Sequence, residues 1–190
     1  MRKLLLILTL TLIFQSWTKA DDIRDFQIEG ISIGDSALNY FSKGEIKKQK
    51  QNYWNNKRFA DSEMYLENSK YHSIHIIYKT YDKKFLIEGL SATLLYKNNI
   101  NDCYQKLDQV DLEVVEQFKN LNRKNKNTIK HNGDKSGKSL ITDIIYDFTN
   151  GDRILLACYD WSKKMGYADH LRISLRTKDY EFFLRNEAYK

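Results

Sequence analysis

LITDIIYDFTNGDRILLACYDW, residues 140–161, holds two apolar runs separated by Thr149-Asn150-Gly151-Asp152. Asn and Gly both tolerate positive φ, so Asn-Gly between two such runs predicts a tight hairpin, and a hairpin makes its two strands antiparallel. Downstream, His170 to Arg176 alternates cleanly, with Leu171, Ile173 and Leu175 on one face. The tail, Asp179 to Lys190, reads as a terminal helix. Upstream, Tyr104, Leu107, Val110 or Asp111, Val114, Phe118 and Leu121 recur every three or four residues, which predicts an amphipathic helix over 101–121 capped by Asn101 or Asp102.

The first part of the chain repeats this order. Gly34-Asp35-Ser36 starts a short helix, and Ser42-Lys43-Gly44-Glu45 has capping-box form at the start of a second one. Three strand-like runs follow: Phe59 to Leu66, Tyr71 to Tyr81 and Phe85 to Tyr96. The middle run sets Ile74, Ile76 and Tyr78 against His75, Ile77 and Lys79 on its two faces. Helix then three strands, twice, gives two tandem units, about 23–97 and 98–190, within one domain spanning 21–190. The expected architecture is α+β: an antiparallel sheet with helices gathered on one face.

Residues 1–20 read as a secretory signal: Arg2-Lys3, an 11-residue apolar run from Leu4 to Phe14, then Thr18-Lys19-Ala20 before Asp21. The run is shorter than the ~18 residues a spanning helix needs, so no transmembrane anchor is expected and the product is assigned to the periplasm or the medium. Loss of Arg2, Lys3 and Lys19 takes 31 basic residues to 28, against 25 acidic, a net charge of about +3. So small an excess does not by itself select nucleic acid or a membrane surface; only clustering of charge would. In an oxidising compartment Cys103 and Cys158 are expected to pair, with a buried thiol at Cys158 as the alternative.

Four stretches invite a chemical reading. HNGDKSGKSL, 131–140, lacks the first Gly of a phosphate-binding loop, because Asn132 stands there and Gly133 is one residue too close to Gly137. It is read as a flexible loop, and no nucleotide is expected. His72 and His75, three apart in a strand, should point to opposite faces, so no metal is expected and both are read as exposed. Gly89-Leu90-Ser91-Ala92-Thr93 lacks the second Gly of a nucleophile elbow; Gly89 reads instead as a bulge or a close strand–helix approach. IEGISIGDSALNYF, 28–41, resembles the first block of the GDS-type esterases and lipases, which would make Ser36 a nucleophile. That family serves its Ser with a late Asp-x-x-His and a Gly-x-Asn-Asp block. Here no Asp-x-x-His occurs, and Asn99 replaces the Gly in Asn99-Ile100-Asn101-Asp102.

Two basic segments, 47–58 and 119–138, each leave a helix and enter a strand. Their cations complement helix C-termini. Under approximate two-fold symmetry they would form one positive rim, in which Lys47, Lys48, Lys124 and Lys126 surround Tyr53 and Trp54 as stacking surfaces for an acidic glycan.

FQIEGISIGDSALNYF, 26–41, and IEGLSATLLYKNNINDCYQKLDQV, 87–110, resemble parts of small exported proteins of marine alphaproteobacteria, a resemblance that implies export and supplies no activity, ligand or site. In outline the paired helix-plus-strands order is similar to β-lactamase-inhibitor-like and outer-membrane assembly-factor folds, which bind other proteins. The expectation is an exported, non-enzymatic binding module without cofactor, its partner another exported protein or an acidic glycan. The alternative is an esterase built on Ser36.

Overall fold

A computed structural model describes residues 21–97, 99–118 and 121–190. The proposed signal segment, 1–20, lies outside the described residues. Eleven principal elements follow in order: α1 (Lys43–Lys48), β1 (Phe59–Met64), β2 (Ser73–Lys79), β3 (Ile87–Leu95), α2 (Ile100–Gln117), β4 (Asn122–Arg123), β5 (Asn127–Lys130), β6 (Leu140–Asp147), β7 (Arg153–Asp160), β8 (His170–Arg176) and α3 (Lys178–Asn186). No described helix is long and apolar enough to cross a membrane.

The chain is α+β, and its sheet is antiparallel throughout. Strand order is β1-β2-β3-β8-β7-β6-β4, with β5 also on β6. Each half contributes a three-strand meander, and the last strand of one meander, β3, pairs with the last of the other, β8. The tandem order read from the sequence therefore becomes an approximate two-fold about the β3–β8 seam. The β6–β7 hairpin turns at Gly151, whose φ of 92° needs a residue without Cβ.

Side-chain alternation sorts the sheet into two faces. Ile74, Ile76, Leu90, Ala92, Ile144, Tyr146, Ile154, Leu156, Leu171, Ile173 and Leu175 form the main core. Both helices of the tandem units cover it. α1 inserts Ile46, and α2 inserts Cys103, Leu107, Val110 and Val114 at spacings of four, three and four. Cys103 is disulfide-bonded to Cys158 of β7. Asp111, on the same side of α2, accepts hydrogen bonds from Tyr146 Oη and from the Arg123 guanidinium at 2.8 and 2.6 Å.

Several elements differ from the sequence reading. α2 ends at Gln117 rather than continuing to 121, because Phe118 turns extended to stack on Phe26 and to meet Phe148 edge-on. Its cap is Asn99, which accepts from the Asn101 amide. β4 and β5 lie inside a segment read as a basic loop. Both are short, polar, exposed edge strands, so no apolar alternation announces them. The terminal helix α3 is additional to the two units and packs on the sheet's other face, where Tyr180 and Phe183 meet Trp54, Phe59 and Ile77 in a second, smaller core. Gly89 admits it: a methyl group there would lie 2.7 Å from the Tyr180 ring, the close strand–helix approach that the sequence suggested.

Candidate functional site

α3 covers only part of the second face, and what it leaves open is a groove of ≈ 950 Å³. The register dictates its floor. Glu63, His75, Ser91 and Ser174 lie side by side across β1, β2, β3 and β8. One step along, Ser73, Thr93, Arg172 and Ala157 form the next row, and beyond it come Leu95, His170 and Tyr159. On the central strands Ser73, Ser91, Thr93 and Ser174 are short polar side chains among the larger His75, His170 and Arg172, and the aromatic side chains at the boundaries of the groove are longer still. That contrast in size makes the concavity.

One wall is a pile of aromatic rings. Tyr159 stacks on His170 (4.7 Å between centroids) and on Trp161 (5.8 Å), and Trp161 in turn meets His131 (4.5 Å) and Tyr167 (4.9 Å). Across the groove stand Tyr53 and Trp54, with Tyr180, Leu184 and Tyr189 from the α3 end. Tyr53 is 53% exposed and tilts over His75, whereas Trp54 is 8% exposed and sits edge-on against Phe183.

All four histidines of the chain line this groove. His75 is 5% exposed, correcting its reading as a surface residue: Nδ1 lies 2.9 Å from Asp61 Oδ1, and Nε2 3.7 Å from Glu63. His72 precedes the regular strand, so odd spacing no longer sends it to the opposite face. Even so, among the described residues no group of three or more His, Cys, Asp or Glu is arranged to hold a metal. His170 donates from Nδ1 to the Ala168 carbonyl at 2.9 Å, and burial pushes its pKa down to about 4. At neutral pH its other nitrogen is therefore an uncharged acceptor. Asp61 orients the His75 imidazole, and among the described residues no hydroxyl is hydrogen-bonded to that ring.

The donors are less complete. Three buried side-chain polar atoms have no hydrogen-bond partner among the described residues: Thr93 Oγ1, Trp161 Nε1 and Arg172 Nε, and all three residues line this groove. Buried polar groups are normally paired, so this concentration is unusual. Sequence reasoning missed His170 and Arg172, although the alternation that sends Leu171, Ile173 and Leu175 to the core also sends these two to the other face.

The six residues of the expected rim do not assemble. Lys47 and Lys48 sit in the last turn of α1 beyond the β1 edge. Lys124 pairs with Asp147 at 3.0 Å and Lys126 with Asp108 at 2.7 Å, at the opposite edge of the sheet. Six inter-strand steps separate β1 from β4, roughly 29 Å at about 4.8 Å each. Tyr53 and Trp54 alone reach the groove.

The remaining chemical readings meet local structure. In the 131–140 loop the inward donors serve the protein's own carboxylate: Asp134 accepts from the amides of Ser136 and Ser139 and from the hydroxyls of Ser139 and Ser162. Those bonds, Ser139's foremost, hold its pKa well below the usual carboxylate range. The segment is thus a tied loop: Asp134 and Ser139 are buried, while Asn132, Gly133, Lys135, Ser136 and Lys138 are exposed. Ser36 caps a 3₁₀ turn, accepting from the Leu38 amide and donating to the Lys84 carbonyl at 2.6 Å. No imidazole is hydrogen-bonded to it among the described residues. No protein-family model, curated protein or solved structure matches the chain.

Proposed function

We propose that this protein is an exported, non-enzymatic binding module that takes a polar, ring-bearing ligand such as an oligosaccharide in the groove on the second face of its sheet. One observation carries this reading: the three buried, unpartnered polar side-chain atoms among the described residues all belong to residues of one aromatic-walled groove. Aromatic faces offer large rigid contact area to a ring, and a few convergent polar groups fix its orientation. Export is supported by the leader-like first twenty residues and by a disulfide, which persists in oxidising compartments. An esterase built on Ser36 finds no comparable support, because its hydroxyl serves as a helix cap and lacks a base.

The two tryptophans after residue 20, Trp54 and Trp161, both line the groove, so intrinsic fluorescence reports on its contents. Titration with galactotriose and with trigalacturonate should give a saturable change for at least one of them. Trp161→Ala and Tyr53→Ala should each weaken it by tenfold or more, about 1.4 kcal/mol. Absence of a change with either sugar, or unaltered affinity in both variants, would exclude the groove as the binding surface.

A further inference from the structure

We infer that the ligand carries an oxyanion, a carboxylate or a sulfate ester on its ring, and that Arg172 is the residue that holds it. This inference rests on the groove being the binding surface.

Seven arginines fall among the described residues, and six of them are in ion pairs: Arg24 with Asp22, Arg58 with Asp179, Arg123 with Asp111, and Arg153, Arg176 and Arg185 with Glu181. Arg172 is the exception. Its guanidinium lies 5.8 Å from the centroid of the Tyr159 ring, its Nε is buried without a partner, and among the described residues it makes no salt bridge. A guanidinium is permanently charged and has no acceptor capacity, so it cannot relieve its situation by losing a proton.

Among the described residues nothing beside it supplies an anion. Its direct cross-strand neighbours are Thr93 and Ala157. Asp61 and Glu63 are drawn to His75, Asp169 accepts from the Trp161 amide at 2.7 Å, and Asp143, on the same row, stands two strands away. The other two unpartnered buried atoms, the Thr93 hydroxyl and the Trp161 indole N–H, are also donors. The unpartnered guanidinium supplies a fixed positive charge, and the Thr93 hydroxyl and the Trp161 indole N–H in the same groove can each add a donated hydrogen bond to a group that is all acceptor. Carboxylate and sulfate both match the planar fork of Arg, and such charge-assisted bonds are short and strong. β8 lies at the centre of the sheet between paired neighbours, so Arg172 is presented from a rigid floor between the Tyr53 and Trp161 walls.

The test compares trigalacturonate, its neutral methyl ester and a sulfated galactotriose by tryptophan fluorescence at low salt, for the unaltered protein, Arg172→Gln and Arg172→Lys. At least one acidic sugar should bind ten times or more tighter than the neutral ester, and whichever does so identifies the oxyanion. Arg172→Gln should abolish the preference, weakening the favoured acidic sugar tenfold or more to the level that the same variant shows for the neutral ester, and Arg172→Lys should retain part of it. Should Arg172→Gln fail to fold, as judged by its melting transition, Arg172→Lys decides: retention of the full preference would remove the guanidinium from the role. Equal affinity for acidic and neutral sugars would overturn the inference and leave the groove standing. No saturable response to any of the three would remove the groove reading and this inference together.

Discussion

Cys103 on α2 and Cys158 on β7 form a disulfide that ties the long helix to the core face of the sheet, with both residues fully buried. The bond spans 55 residues of sequence, so it removes closure entropy from the unfolded chain worth about 4 kcal/mol on the chain-entropy estimate. Urea denaturation of the protein with and without reductant should differ by that order. Identical midpoints would show that the bridge contributes nothing to the fold.

Glu181 is the hub that holds α3 on the second face, taking Arg153 at 2.6 Å, Arg176 at 3.0 Å and Arg185 at 2.6 Å. Burial by itself would raise its pKa, but the guanidinium groups of Arg176, Arg185 and Arg153 outweigh it and hold the carboxyl below its ordinary value. A folded-state pKa lower than the unfolded one, about 4.3, means that the stabilisation is complete above that pH and is lost as the solution is acidified through the folded value. Glu181→Gln should lower stability at pH 7 by about 3 kcal/mol, since it strands partly buried guanidinium groups, and by less at pH 3, which lies below the unfolded pKa. An equal loss at both pH values would contradict the charge assignment.

Gly89→Ala should destabilise the fold by about 2 kcal/mol, because the new methyl would meet the Tyr180 ring at 2.7 Å and Ile77 Cβ at 3.2 Å. Combining it with Tyr180→Leu should recover part of that loss, a coupling that a double-mutant cycle reads directly. Strict additivity of the two changes would mean that the strand–helix approach is looser than described.

His170 titrates in the opposite sense from an ion-paired histidine. With its pKa near 4 when folded and about 6.5 when unfolded, the unfolded chain binds more protons throughout the interval between them. Stability should therefore fall as pH drops from about 6.5 towards 4, by up to about 1.4 kcal/mol per pH unit. His170→Gln should flatten the profile in that window. A profile unchanged by the substitution would place the imidazole in contact with water.

Local requirements were legible in the sequence. Gly151 marks its hairpin because a positive φ suits a residue without Cβ, although Asn150 does not share that conformation, and Ser42 with Glu45 names its cap because the two groups lie within one turn. The stripe through Leu107, Val110 and Val114 likewise identified the core helix, although Phe118 leaves the helix to pack against Phe26 and Phe148. β4 and β5 escaped notice because edge strands that face water on both sides carry no periodicity.

The site was legible only in fragments. Tyr53 and Trp54 were singled out and do reach the groove, yet they were grouped with lysines that lie at opposite edges of the sheet. His75 and Arg172 stand on β2 and β8, which are 97 residues apart in the chain at these positions and two strands apart in the sheet.

By itself, then, the sequence determined which residues turn, which cap, and which side of each strand is apolar, since these follow from backbone preference and from a period of two or 3.6 residues. Only the tertiary structure decided that β3 meets β8, that α3 closes part of the second face, and that Arg172 ends there without a counter-ion among the described residues. Strand neighbours are chosen by the packing of distant apolar faces, and which polar side chains remain unpaired is fixed only once that packing is complete.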